Sequence, residues 1–161
     1  MSNDFVQALK VVPSASVVAV GARNPADALA FSERHGLTAA TGSYEDVCAC
    51  PAVDAVYVGS LHPWHREHAL LALSHHKHVL VEKPMAMSRK DAADIYEAAR
   101  AVGRLALEGM WTRFFPALGK AAALLETIGP VTEVWTCPLD EVWICQLAEI
   151  QGLRSGQWLR R

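Results

Sequence analysis

Apolar and polar positions along the chain follow two alternating rhythms. Short apolar runs, rich in valine and other strand-forming residues, lie at 16–22, 54–59, 77–81 and 105–109, and each predicts a strand. A shorter strand is predicted at 38–41. Between these runs the apolar positions recur at helical spacing. Ser2, Asn3 and Asp4 offer a cap for a helix over 5–10, because short polar side chains accept the orphan amide hydrogens of a first turn. Asn24 and Pro25 supply a cap and a first-turn proline for a helix ending near His35 and Gly36, with Ala28, Leu29, Ala30 and Phe31 directed at a core. Ser43 opens a short helix with Glu45 and Asp46 in its first turn, where acids suit the helix dipole, and Pro51 stops it. A helix runs from His65 to about His75. Ser88 and Asp91 cap a long helix over 89–102, with Ala92, Ile95, Tyr96 and Ala99 on one face and Gly103 at its end. A last helix over 117–127 precedes Gly129, Pro130 and an apolar stretch at 131–135.

Strands alternating with helices at this interval imply a parallel sheet covered on both faces, a doubly wound α/β domain. The 161 residues are long enough to bury a real core, and a hydrophobic fraction of 52% with 20% charged residues describes a globular protein. A net charge of −2 implies no broad attraction to nucleic acid or to an anionic membrane. No apolar stretch reaches the length of a membrane span, and the opening residues lack the basic and apolar regions of a secretory signal. Cys48, Cys50, Cys137 and Cys145 show no framework spacing and fit reduced thiols, so the expected location is cytoplasmic.

Candidate chemistry concentrates where the 77–81 strand stops at Glu82, Lys83 and Pro84. Open α/β sheets place their ligands at the carboxyl ends of strands, and a lysine there can serve in proton transfer. The plain alternative is a solvated Glu-Lys turn ahead of a helix. A metal site is the other chemistry to weigh, since His62, His65, His68, His75, His76 and His78 are unusually dense. His65 and His68 share a helical face, yet no Glu-flanked His-x-x-x-His pattern is present, and Cys48 and Cys50 are too close for a zinc knuckle. No metal is expected.

Several segments together carry a family resemblance. They are Val18-Ala19-Val20-Gly21-Ala22-Arg23, Gly42-Ser43-Tyr44-Glu45, Tyr57-Val58-Gly59-Ser60-Leu61-His62-Pro63 with His65, Glu82-Lys83-Pro84, and Trp111-Thr112-Arg113-Phe114-Phe115-Pro116. Residues 3–135 resemble the Gfo/Idh/MocA oxidoreductases, and the tryptophan-led run is the most selective signal. The resemblance implies a Rossmann domain binding NADP, with NAD possible, and an enzyme that oxidises a trans-dihydrodiol to a catechol or D-xylose to xylonolactone by hydride transfer. It implies that Arg23 meets the 2′-phosphate, that His62 lies near the nicotinamide and that Glu82 lines the cofactor side. By the same resemblance Lys83 is the catalytic lysine beside the nicotinamide and the reacting hydroxyl, and Trp111 and Arg113 border the substrate pocket. The plain alternatives are a surface arginine before a helix cap, a loop-capping histidine, and a hydrophobic plug with a surface arginine.

The chain departs from that family at two places. No Gly-x-Gly-x-x-Gly turn occurs, although only glycine lets backbone approach a pyrophosphate at a helix N-terminus. The first residues resemble the stretch just after that turn, so a partial Rossmann-like domain is expected over 1–135, lacking its central first strand. Its loss removes about five buried apolar side chains, at ~1.5–3 kcal/mol each, and leaves two strands without a ladder partner. Cofactor binding is expected to be impaired. Beyond Trp135, residues 136–161 form a divergent tail, a short helix over 142–153 or disorder, and the family's second α+β domain with its dimer surface has no counterpart. The reading that follows is a product truncated at both ends. For this polypeptide the alternative to an active dehydrogenase is a non-catalytic remnant, at most a weak nucleotide-binding or partner module.

Overall fold

A computed structural model describes residues 2–128 of the chain. The elements alternate as the hydrophobic pattern predicts: α1 (Ser2–Leu9), β1 (Ala19–Gly21), α2 (Pro25–His35), β2 (Ala40–Gly42), α3 (Tyr44–Ala49), β3 (Ala55–Val58), α4 (His65–Ser74), β4 (His78–Glu82), α5 (Arg89–Ala101), β5 (Ala106–Gly109) and α6 (Pro116–Ile128). Short 3-10 turns at His62–Trp64 and Trp111–Phe114 stand where loops are expected. The stretch at 131–135, the tail with its possible helix, Cys137, Cys145 and the expected boundary at 135 lie outside the described residues. Contacts divide the chain after Gly109, and residues 110–128 belong to a second unit.

Local signals explain most helix ends. Asn24 accepts the Ala26 amide at 3.2 Å and Pro25 opens α2, while Gly36 closes it in the left-handed region at φ 59°. Ser43 and Asp46 form a reciprocal capping box, Ser43 Oγ accepting the Asp46 amide and Asp46 Oδ2 accepting the Ser43 amide at 2.8 Å. The Ser43 hydroxyl, donating to Asp46 Oδ2 at 2.7 Å, and then the Ser43 amide hold the Asp46 carboxyl below its ordinary value. Ser88 caps α5 through the Asp91 amide at 3.1 Å.

Three expectations are corrected. Ser2, Asn3 and Asp4 lie inside α1 instead of capping it. The side chain of Asn3 is taken by a distant partner: Nε2 of His35 lies 2.8 Å from Asn3 Oδ1, and Gln7 Nε2 lies 3.1 Å from Nδ1 of the same ring. Leu29 and Ala30 face outward, leaving Ala28 as the buried member of that group. Tyr96 is likewise exposed, and Ile95 and Ala99 alone seat that part of α5 fully in the core.

Every strand pairing is parallel, but the strands form two sheets. β1 pairs with β2, matching Ala19 to Ala40 and Gly21 to Gly42. β4 lies between β3 and β5, matching Val58 to Val81 and Glu82 to Gly109. Among the described residues no pairing joins β1 to β3, so the sheet is open between them. β1 is also shorter than its apolar run, because its one ladder partner is only three residues long. The core sits on the complete side. Val58, Val79 and Val81 pack with Ala69, Ala72 and Leu73 of α4, Ile95 and Ala99 of α5, and Met85. Leu73, Ile95 and Val81 are fully buried, each contributing ~1.5–3 kcal/mol.

Candidate functional site

The polar residues of interest gather at the carboxyl ends of the parallel strands. Arg23 follows β1 and is exposed, His62 begins the turn after β3 and is exposed, and Lys83 directly follows Glu82, the last residue of β4. The ends of β1 and β3 lie on the same side of the unit. A Cβ on Gly21 would stand 2.9 Å from the Ser43 carbonyl oxygen, and the neighbouring Tyr44 ring packs on His68 at 4.3 Å. His68 Nδ1 in turn stands 2.9 Å from Ser60 Oγ, just past β3. Burial holds the His68 ring below its ordinary pKa, with a further push from His65 against a pull from Glu67.

Glu82 is a buried carboxylate with two local partners. Its Oε1 accepts the Tyr57 hydroxyl at 2.8 Å and its Oε2 accepts the Lys83 backbone amide at 3.2 Å. Burial, and the acceptor bond to Glu82 beside it, raise the Tyr57 hydroxyl well above its ordinary range, so it stays a donor. Phe5 stacks on the Tyr57 ring at 3.8 Å and fixes that ring from the α1 side. The Lys83–Pro84 bond is cis, and the segment is pinned from two further sides. His65, fully buried, has Nδ1 2.9 Å from the Pro84 carbonyl oxygen and Nε2 2.9 Å from the Ser60 carbonyl oxygen. The Met85 amide donates to Glu108 Oε1 at 2.9 Å. With its backbone held this way, Lys83 projects an exposed ammonium-bearing chain from a rigid base.

Gly59, like Gly21, leaves no room for a side chain on this rim. A Cβ on Gly59 would fall 2.5 Å from Ser2 Oγ and 2.6 Å from the Tyr57 ring, so the first turn of α1 approaches the end of β3 closely. Tyr57, His65, Glu108 and the Ser2–Gly59 approach were not singled out by sequence as parts of this framework. Apart from the His65–Ser60 contact, their partners lie 19 or more residues away, and only the Gly59-Ser60 break after an apolar run hinted at them.

Trp111 and Arg113 occupy the 3-10 turn of the second unit, where both are exposed. No group of three or more His, Cys, Asp or Glu side chains that could hold a metal ion occurs among the described residues. No helix among them is long and apolar enough to cross a membrane.

The glycine-rich pyrophosphate turn has no counterpart in the sequence, whereas the parallel strands with helices between them are those of a dinucleotide-binding fold. Comparison with known proteins agrees. The model of the Gfo/Idh/MocA oxidoreductase family, NAD-binding Rossmann fold, matches residues 1–110. Trans-1,2-dihydrobenzene-1,2-diol dehydrogenase of Danio rerio is 42% identical over 128 residues, covering 78% of this chain and 38% of that protein. The Sus scrofa protein of the same name is 38% identical over 138 residues, covering 83% of this chain and 41% of the relative. Among solved structures, a 3-ketoreductase from Actinomadura kijaniata in complex with NADP and TDP-benzene superposes with a TM-score of 0.68 at 33% identity, covering 76% of this chain and 37% of that one. The chain thus spans about two fifths of the length of these relatives. With a parallel Rossmann-like architecture and this extent of matching sequence, the chain belongs to the Gfo/Idh/MocA oxidoreductase family, in the part that carries the NAD(P)-binding domain.

Proposed function

We propose that residues 1–135 are the partial nucleotide-binding domain of an NADP-dependent dehydrogenase acting on trans-dihydrodiols and D-xylose. The observation that carries this reading is the placement of Lys83 at the end of β4, on a backbone held by Glu82, Tyr57 and His65. When bound, the nicotinamide supplies the hydride acceptor. Lys83 Nζ would then donate a hydrogen bond to the reacting hydroxyl oxygen and polarise it, the hydroxyl proton leaving to solvent water as hydride passes to the nicotinamide. Glu82 acts through position, keeping the Lys83 backbone in place by accepting its amide. Arg23, free of the sheet and following β1, holds the 2′-phosphate, with NAD as the weaker cofactor. His62 borders the nicotinamide side, and Trp111 and Arg113 border the substrate. The names of the relatives support the dihydrodiol substrate, and the NADP in the Actinomadura complex supports the cofactor.

A second reading rests on one observation. The sheet is open between β1 and β3, at the place from which a pyrophosphate-binding turn would spring. A chain in this state binds nucleotide weakly and does not turn over. The test is growth of the reduced-cofactor absorbance on adding a trans-dihydrodiol or D-xylose to the chain with NADP. Turnover that falls by roughly 10²–10⁴ in Lys83→Met supports the dehydrogenase. Nucleotide binding without turnover supports the second reading, and neither binding nor turnover overturns both.

A further inference from the structure

Glu82 and Lys83 are neighbours in sequence and carry opposite charges, yet they form no ion pair with each other. Glu82 ends β4 on the sheet face that strand alternation shares with Leu80, and Leu80 is matched in register to Tyr57. The carboxylate is 8% exposed and both its oxygens are engaged, Oε1 by the Tyr57 hydroxyl at 2.8 Å and Oε2 by the Lys83 amide at 3.2 Å. Lys83 stands one residue further along and is exposed. The acid is thus turned onto the sheet and the base out to the rim.

Among the described residues, Tyr57 is the one side chain that donates to Glu82. Across the ladder Glu82 is matched to Gly109, which brings no side chain, and a Cβ there would stand 3.6 Å from Glu82 Cδ. The Tyr57 hydroxyl stays protonated, and Phe5, stacked 3.8 Å away with 9° between the rings, fixes where it points. Without that donor a buried carboxylate oxygen is left unpaired, and the adjacent ammonium is the partner from which it gains most. A lysine paired in that way has its N–H groups spent and does not offer them to a substrate. We propose that Tyr57 is a positioning residue for Lys83. Its hydroxyl holds Glu82 to the sheet and so leaves the Lys83 ammonium for the reacting hydroxyl. That last step rests on the dehydrogenase reading, whereas the separation of the two side chains does not.

The test reads the Lys83 amine itself, with no nucleotide present. Acetylation of the full chain by N-hydroxysuccinimidyl acetate is timed by peptide mass spectrometry, with the exposed Lys120 of α6 as internal reference. Only the uncharged amine attacks the ester, and a carboxylate drawn to it favours the charged form. Tyr57→Phe keeps the ring and the Phe5 stack, and should slow Lys83 relative to Lys120 by a factor of about three or more. Glu82→Gln alone should leave the Lys83 rate within about twofold, and adding Tyr57→Phe to it should change that rate no further, since no charge remains to swing. An unchanged or faster rate in Tyr57→Phe, or equal slowing with Glu82 and with glutamine in its place, overturns the proposal. So does a rise of about threefold or more in Glu82→Gln alone, a comparison that stands even if Tyr57→Phe fails to fold. Turnover with NADP and a trans-dihydrodiol is measured separately on the same proteins. Its absence from the unaltered chain counts against the dehydrogenase reading alone. Where it is present, Tyr57→Phe should lower kcat and leave the KM for NADP as it was, and a change confined to that KM overturns the positioning role.

Discussion

The His65 ring stands with Nδ1 2.9 Å from the Pro84 carbonyl oxygen, tying the first turn of α4 to the segment that carries Lys83. Its other nitrogen faces the Ser60 carbonyl at the same distance. A neutral ring donates to one of these carbonyls and an imidazolium to both. In either state a buried side chain joins the loops after β3 and β4. His65→Leu keeps an apolar body there and removes every donor. Urea unfolding should show a loss of roughly 0.5–1.5 kcal/mol, the net worth of a hydrogen bond lost at a part-buried carbonyl. An unchanged midpoint and slope would mean that these contacts hold nothing.

Ile95 and Tyr96 adjoin on α5 but differ in surroundings, the first fully buried and the second 42% exposed. Ile95→Ala should lower the unfolding free energy by about 2–5 kcal/mol, combining lost transfer energy with a cavity. Tyr96→Ala should stay within about 0.5 kcal/mol, as surface substitutions usually do. Comparable losses in the two variants would contradict the placement of the core.

That pair also shows what was legible in the sequence. Helix ends with self-contained chemistry, such as Asn24 with Pro25, Ser43 with Asp46 and the left-handed Gly36, could be read directly because cap and capped amide are neighbours. The outward Leu29 and Tyr96 could not, because helical periodicity locates an apolar stripe without telling how far the neighbouring layer extends. The missing ladder partner was foreseen from the absent glycine turn, and the sheet does divide between β1 and β3. The framework around Lys83 was hidden for another reason. Tyr57–Glu82 and His65–Pro84 join residues 25 and 19 positions apart, and such pairings arise only once strands and helices are packed.

His68 gives the fold a defined acid response. Its folded pKa lies below the ordinary value, chiefly through burial, so the unfolded chain binds the proton more readily. Stability is fully present above the unfolded pKa of about 6.5 and is lost as pH falls from there toward the folded value. Thermal midpoints measured across this window should drop on acidification, and His68→Gln should flatten the drop. An identical pH profile in that variant would remove His68 from the account.

Cys48 and Cys50 should separate in reactivity. Cys48 is 3% exposed, and burial with the nearby Glu45 pushes its thiol up to about 11 against a smaller opposing effect of Lys77. Cys50 is only partly covered. Since the thiolate is the nucleophile, iodoacetamide at neutral pH should label Cys50 well before Cys48, as peptide mass spectrometry would show. Equal labelling of the native chain would mean that α3 opens readily.

The central claim is that the strand ends carry a nucleotide site whose preference for NADP comes from Arg23. Calorimetric titration of NADP and of NAD into the chain and into Arg23→Glu tests it most directly. Loss of one charge-assisted phosphate contact, about 1.5–3 kcal/mol, corresponds to tenfold or more in affinity. The account predicts submillimolar binding of NADP to the unaltered chain, a loss of about tenfold or more in Arg23→Glu, and NAD binding left nearly as it was. Absence of NADP binding to the unaltered chain, or equal loss of both nucleotides in the variant, would contradict it.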